Sequence, residues 1–292
     1  MLSLHTNAAS LSAQNSISRT QTSLSTSMTR LSTGYRINSA MDDAAGLQIA
    51  TRLKAQSSGM AVAMRNTQNS ISMLQTAEGS LNEVNNILVR MKDLATQSAD
   101  GSSSDDDRTA MQAEYNSLSD ELSNIVANTK FGGTELLNSS SGKLKSSITF
   151  QIGADDAEKM TADFSSDLST MSTDISTAAG DFSDSSSAVT AAGTEIATDT
   201  DANTTIGNLS DAIDSVSGLR SKLGAVANRL DHVYNNLSNV STNTAAATGR
   251  IMDVDFAAES SNMTSNQMLL QASTAMLKQT NSMSSMVMSL LQ

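Results

Sequence analysis

Only two histidines, His5 and His232, occur in this 292-residue chain, and cysteine is absent. A zinc hydrolase helix pairs two histidines one turn apart around a glutamate, and no HExxH string is present. Without cysteine, a thiolate metal site and a disulfide framework are both excluded. Carboxylates do cluster, at Asp42-Asp43, Asp105-Asp106-Asp107 and Asp155-Asp156. None has the ligand spacing of a calcium hand. The first two runs stand where helices should begin, and there a carboxylate suits the positive end of the helix dipole. Gly132-Gly133 reads as a turn and does not make a phosphate loop. With no catalytic constellation, the chain reads as a non-enzyme that needs no cofactor.

The stronger pattern is structural. Leu53, Met60, Thr67, Leu74, Leu81, Leu88 and Ala95 form a column with a step of seven. Leu209, Val216, Leu223, Leu230 and Leu237 form a second, and Leu269, Met276, Met283 and Leu290 a third. Such columns build long helices that bury a narrow apolar seam against other helices. Seams towards both termini imply that the two ends meet and that the centre is an insertion. That is the layout of an assembly subunit.

Composition agrees. Proline is absent, which permits very long helices. Aromatic residues make up only 3%, so thin seams of Leu, Met, Val and Ala are expected in place of a thick aromatic core. The net charge is −12, and no Lys or Arg occurs between Met160 and Leu219. Nucleic acid is a poor partner for such a surface, because phosphate binding needs clustered cations. No stretch has the apolar length to span a membrane. Residues 1–7 lack the basic start and apolar run of a cleaved signal peptide, so a soluble protein, cytoplasmic or exported by another route, is expected.

Along the chain, Leu4, Ala8, Leu11, Ile17, Leu24, Met28 and Leu31 sit at approximate helical spacing, with Ser, Thr, Asn and Gln between them. These are mediocre helix formers, so this amphipathic helix needs a partner. Gly34 should end it. Ser39 and Asp42 resemble a capping box that opens a helix running to about Ser98. Within it, Leu74, Ala77, Leu81, Val84, Leu88 and Met91 alternate steps of three and four. After a break at Gly101, a helix from Asp105 with Met111, Tyr115, Leu118, Leu122 and Ile125 completes an antiparallel hairpin. Residues 131–137 and 147–153 look like two short strands joined by a flexible connector. Residues 154–205 read as a weakly folded or partly disordered surface segment. Helical seams return from Ile206 to about Val240, a joint is expected over residues 241–255, and a last, Met-rich helix follows. Its Met263, Met268, Met276, Met283, Met286 and Met288 suit adaptable packing. The fold class is therefore mainly α: a long antiparallel bundle or coiled coil formed by both termini, with a short β-hairpin and a small central insert. The helices over 1–33 and 257–292 are expected to be marginal in a monomer.

Several strings carry a family resemblance. Residues 31–50, LSTGYRINSAMDDAAGLQIA, closely resemble a signature of bacterial flagellin. So do residues 75–83, QTAEGSLNE, and 131–137, FGGTELL. Residues 223–230, LGAVANRL, 250–259, RIMDVDFAAE, and the ending SLLQ are similar to the family's C-terminal block. The resemblance covers about residues 1–153 and 206–292.

It implies a filament subunit that polymerises with copies of itself for swimming or swarming. Residues 1–40 and 251–292 would be inner-tube helices, 41–153 the shell helices and hairpin, 206–250 the C-terminal shell helix, and 154–205 a variable surface segment. Leu4, Leu11, Ile17, Leu24, Leu31, Leu269, Met276, Met283 and Leu290 would carry assembly, with Arg36, Asn38 and Asp42 at the first joint as contact or switch residues. The resemblance also implies extracellular placement through the flagellar type III export channel without a cleaved signal. Partners would be an export chaperone, cap and junction proteins, and Toll-like receptor 5. Arg90, Leu94 and Glu114 match an Arg, a Leu and a Glu that contact that receptor in recognised flagellins, and Val89 stands where a Gln is often found. The competing expectations are a hook–filament junction protein of the same superfamily and a monomeric secreted immune ligand.

Overall fold

The computed structural model describes residues 7–184 and 193–289. They fall into two compact units, one of Met1–Ser57 with Thr242–Gln292, the other of Ser58–Ser241. The main elements are α1 (Ala8–Thr33), α2 (Ala44–Ser98), α3 (Asp105–Asn128), β1 (Lys130–Phe131), β2 (Thr134–Glu135), β3 (Ile148–Gln151), β4 (Lys159–Ala162), α4 (Ser165–Ala178), α5 (Asp199–Met252) and α6 (Phe256–Ser289).

In the Ser58–Ser241 unit the first two heptad columns become the core. Leu74, Leu81, Leu88 and Ala95 on α2 and Leu209, Val216, Leu223 and Leu230 on α5 are buried in one cluster. Ala77, Val84, Met91 and Ala212, Leu219 fill the intervening steps, so each helix presents an alternating three–four stripe. α3 adds Met111, Tyr115, Leu122 and Val126. Its start is set by a full capping box, with Ser104 accepting from the Asp107 N–H and Asp107 accepting from the Ser104 N–H. The Asp107 carboxyl is held below its usual range, first by the Ser104 hydroxyl and then by its backbone N–H.

Three expectations need correction here. The two strand-like stretches do not pair with each other: β1 pairs with β2 and β3 with β4, each antiparallel. Gly132 and Gly133 both take positive φ, 57° and 83°, the backbone that a tight two-residue hairpin turn requires. That turn closes the first hairpin on itself, and the strand at 148–151 finds its partner downstream. The described part of 154–205 is also no loose surface segment. Leu168, Met171 and Ile175 on α4, with Met160 and Phe164, lie in the main core. Their spacing of three and four is helical, but the Ser, Thr and Asp around them mask it. The Tyr115 hydroxyl donates to the Ala178 carbonyl at 2.7 Å, fixing the end of α4 against α3. Burial pushes the Tyr115 phenol well above its ordinary pKa, and the Glu195 charge adds to this. Finally, no joint opens at Ser241. α5 continues through residues 241–252, because Ala245, Ala246 and Ala247 are strong helix formers and the break waits until Asp253.

Candidate functional site

The Met1–Ser57 with Thr242–Gln292 unit is built on α1 and α6. α1 begins at Asn7, whose side chain accepts from the Ser10 N–H, and ends at Gly34 in the left-handed region, φ 77°. Much of its polar surface is satisfied locally: the hydroxyls of Thr20, Thr22, Thr26, Thr29 and Thr33 each donate to the carbonyl four residues back. α6 lies antiparallel to α1. The Ser10 hydroxyl donates to Asn281 Oδ1 at one end, 3.3 Å, and Arg30 stands 3.8 Å from Glu259 at the other.

Between these ends the covered positions on α1 include Ser10, Ala13, Ile17, Thr20, Leu24, Ser27 and Leu31. On α6 they include Glu259, Met263, Asn266, Leu270, Ser273, Leu277 and Thr280. Both stripes step by three and four, the signature of a two-helix coiled coil. Large apolar residues occupy only every second position, and the rest are small or polar. The seam is therefore thin.

The third heptad column is elsewhere. Leu269 and Met276 stand one residue before Leu270 and Leu277, about 100° around the helix from the seam. Leu269, Met276 and Met283, with Met268, are 53–68% exposed. Leu11 and Met28 on α1 are similarly bare. The sequence-assigned assembly residues thus separate into two groups: Ile17, Leu24 and Leu31 are half-buried on the covered stripe within the chain, while Leu11, Leu269, Met276 and Met283 face outward. Leu4 and Leu290 lie outside the described residues. Met28 and Met268, marked in the sequence as apolar helix positions, belong to the outward group too but fall off the sevenfold columns from which the assembly residues are drawn.

A compact joint holds the base of this helix pair. Tyr35 forms a bridge with Asp253, the Arg36 N–H donates to the Met252 carbonyl, and the Val254 N–H donates to the Gly34 carbonyl. The Arg36 guanidinium donates to the Ile251 carbonyl at 2.9 Å, supplying positive charge where the end of α5 has unpaired carbonyls. Asn38 donates to the Tyr35 carbonyl at 2.7 Å. Asp42 accepts from the N–H groups of Ser39 and Asn38, which hold its carboxyl below the usual range, with Arg30 4.0 Å away adding to the effect. The expected Ser39–Asp42 capping box is corrected: Asp42 closes the loop, and Asp43 caps α2 by accepting from the Gly46 N–H at 2.8 Å. Helix α2 starts too late for Ser39 to reach its free amides. Arg30, between Asp42 and Glu259, escapes sequence reading, because nothing local marks a lone arginine near a helix end.

In the Ser58–Ser241 unit, Arg90 and Glu114 form an exposed ion pair at 2.6 Å linking α2 to α3. Leu94 is corrected as a surface contact: it is 2% exposed, within the core. It lies four residues after Arg90 but on the inner stripe of α2. Among the described residues no group of three or more metal-ligating side chains occurs, and no helix is long and apolar enough to cross a membrane.

An antiparallel terminal helix pair with an apolar column left outside its own seam defines a helical assembly protein. Comparison with known proteins narrows this. The bacterial flagellin N-terminal helical region matches residues 4–142, and the bacterial flagellin C-terminal helical region matches 206–291. Flagellin B of Vibrio anguillarum is 36% identical, with 99% of each chain covered. Polar flagellin F of Vibrio parahaemolyticus is 35% identical at the same coverage. Among solved structures, a putative flagellar hook-associated protein from Vibrio parahaemolyticus gives a TM-score of 0.55 at 17% identity, covering 73% of this chain and all of that one. That likeness shows the shared fold alone. The chain belongs to the bacterial flagellin family, and its role is that of a structural subunit of the flagellar filament. The junction-protein and monomeric-ligand alternatives are not favoured.

Proposed function

We propose that assembly is carried by the outward apolar column of Leu269, Met276 and Met283, together with Leu11 and the terminal Leu4 and Leu290. The observation behind this reading is the exposure of Leu269, Met276 and Met283 at steps of seven on α6, and of Leu11 on α1, beside a seam already closed within the chain. An exposed apolar stripe of this kind is costly in water and marks a surface that pairs. Residues 1–40 and 251–292 act as the inner-tube helices. Residues 41–153 and 206–250 form the shell, and α4 within 154–205 packs into the same core. Arg36, Asn38 and Asp42 hold the joint locally, and their place in subunit contacts follows from that rigidity. The subunit works by packing and does no chemistry of its own. It is exported to the cell exterior through the flagellar channel, with a chaperone before assembly and cap and junction proteins at the filament ends. Any contact with Toll-like receptor 5 uses Arg90 and Glu114 at the surface, with Leu94 supporting the helix from inside.

Because the chain has no cysteine, a single introduced thiol reports cleanly. In Met276→Cys, maleimide labelling should be fast in the monomer and strongly slowed in the polymer. Equal rates in both would place the column outside the contact and defeat this reading.

A further inference from the structure

With no cysteine in the chain, the methionine thioethers are its readily oxidised sulfur atoms. They are distributed unevenly. Met28, Met268, Met276 and Met283, on α1 and α6, are 53–68% exposed. Met60, Met91, Met111, Met160 and Met171, in the Ser58–Ser241 unit, are buried. Susceptibility follows access, so a two-electron oxidant such as hydrogen peroxide meets Met41, 96% exposed in the loop before α2, and the exposed methionines of α1 and α6 first. Leucine would supply equal apolar area on those helices without this chemistry, which makes the choice of methionine consequential.

We infer that these four exposed methionines are an oxidation site that switches polymerisation off in the free subunit; this rests on the assembly role of the same face. The step balances simply. The thioether sulfur takes one oxygen atom from the peroxide, the O–O bond breaks, the sulfur loses two electrons to form the sulfoxide, and the remaining oxygen leaves as water. The product is a strong hydrogen-bond acceptor on a face otherwise dressed for apolar contact. In a dry seam its oxygen finds no donor from the neighbouring Leu269 or from an opposing apolar stripe, and burying it unpaired is unfavourable. The covered α1–α6 seam carries Leu270 and Leu277 beside a half-buried Met263, so sulfoxide at the four exposed positions leaves the side chains of that seam unchanged. A packed filament excludes the oxidant from the same sulfurs, so the assembled state is protected and the unassembled one is sensitive.

The test treats full-length monomer with hydrogen peroxide, maps sulfoxides by peptide mass spectrometry, and measures the critical concentration for seeded polymerisation. A Met28→Leu, Met268→Leu, Met276→Leu, Met283→Leu variant is treated in parallel. Oxidation should appear at the four positions before Met91 or Met171. It should raise the wild-type critical concentration at least tenfold with helicity unchanged by circular dichroism, and leave the variant unaffected. Methionine sulfoxide reductases with dithiothreitol should restore wild-type assembly, which keeps the test decisive even if the fourfold variant assembles poorly. Normal assembly of wild type oxidised at all four sites would overturn the inference, as would equal loss in the variant or failure of reduction to restore assembly. Failure of untreated wild type to polymerise would instead strike the assembly reading beneath it.

Discussion

Replacing Met276 with aspartate separates folding from assembly. Met276 is 68% exposed in the subunit, so about two thirds of its burial remains unclaimed by the fold. Full burial of a methionine contributes about 1.5–3 kcal/mol, so assembly stands to gain about 1–2 kcal/mol from this side chain. Met276→Asp forfeits that gain and must also strip water from a carboxylate, a penalty of several kcal/mol when it is unpaired. A combined loss of only ~3 kcal/mol corresponds to a more than ~100-fold higher critical concentration. The monomer should notice little, since a solvent-facing substitution on α6 changes stability by about 0.5 kcal/mol or less. Sedimentation of seeded reactions over a concentration series reads the first quantity, and thermal unfolding by circular dichroism reads the second. A critical concentration within threefold of wild type would refute the reasoning. So would a collapse of monomer helicity, because that would place Met276 inside the fold.

Other substitutions probe the interior and the local caps. Leu81→Ala, at a fully buried seam position, should destabilise the Ser58–Ser241 unit by about 2–5 kcal/mol in urea unfolding. Tyr115→Phe leaves the Ala178 carbonyl without its donor and should cost about 1–3 kcal/mol by the same measurement. The Asp107 carboxyl has a folded pKa below its unfolded value, so its stabilisation is fully present above about pH 4 and is lost as pH falls through the folded pKa. The stability gap between wild type and Ser104→Ala should therefore be wide at neutral pH and narrow below about pH 4. A gap constant from pH 7 to pH 2 would show that the charged carboxylate contributes nothing.

The buried seams of α2 and α5 are legible in the sequence because leucine at steps of seven survives any surface composition. The outward column at Leu269, Met276 and Met283 is equally visible, but spacing alone does not say which stripe of α6 the chain itself uses. That distinction rests on Leu270, Leu277 and Met263, which share the same period, and only the antiparallel register with α1 separates them. α4 is hidden because Leu168, Met171 and Ile175 lie among Ser, Thr and Asp, residues equally at home in loops. The joint after α5 comes later than expected because Ser241, Asn243 and Gly249 look like breakers, whereas the neighbouring alanines and the absence of proline let the helix continue. Leu94 shows the limit of carrying a residue over from a family: the identity matches, but its position on the α2 helix turns it into the core. Arg36 and Asp42 are legible as important and not as to why. Their partners, at Ile251 and at Asn38 and Ser39, are backbone groups that no pattern of side chains announces.

Electron microscopy of purified monomer seeded with filament fragments under salting-out conditions tests the central claim most directly. Long tubular filaments that dissociate on heating are the predicted result. Persistent monomers or short rings, with the helices intact by circular dichroism, would contradict it.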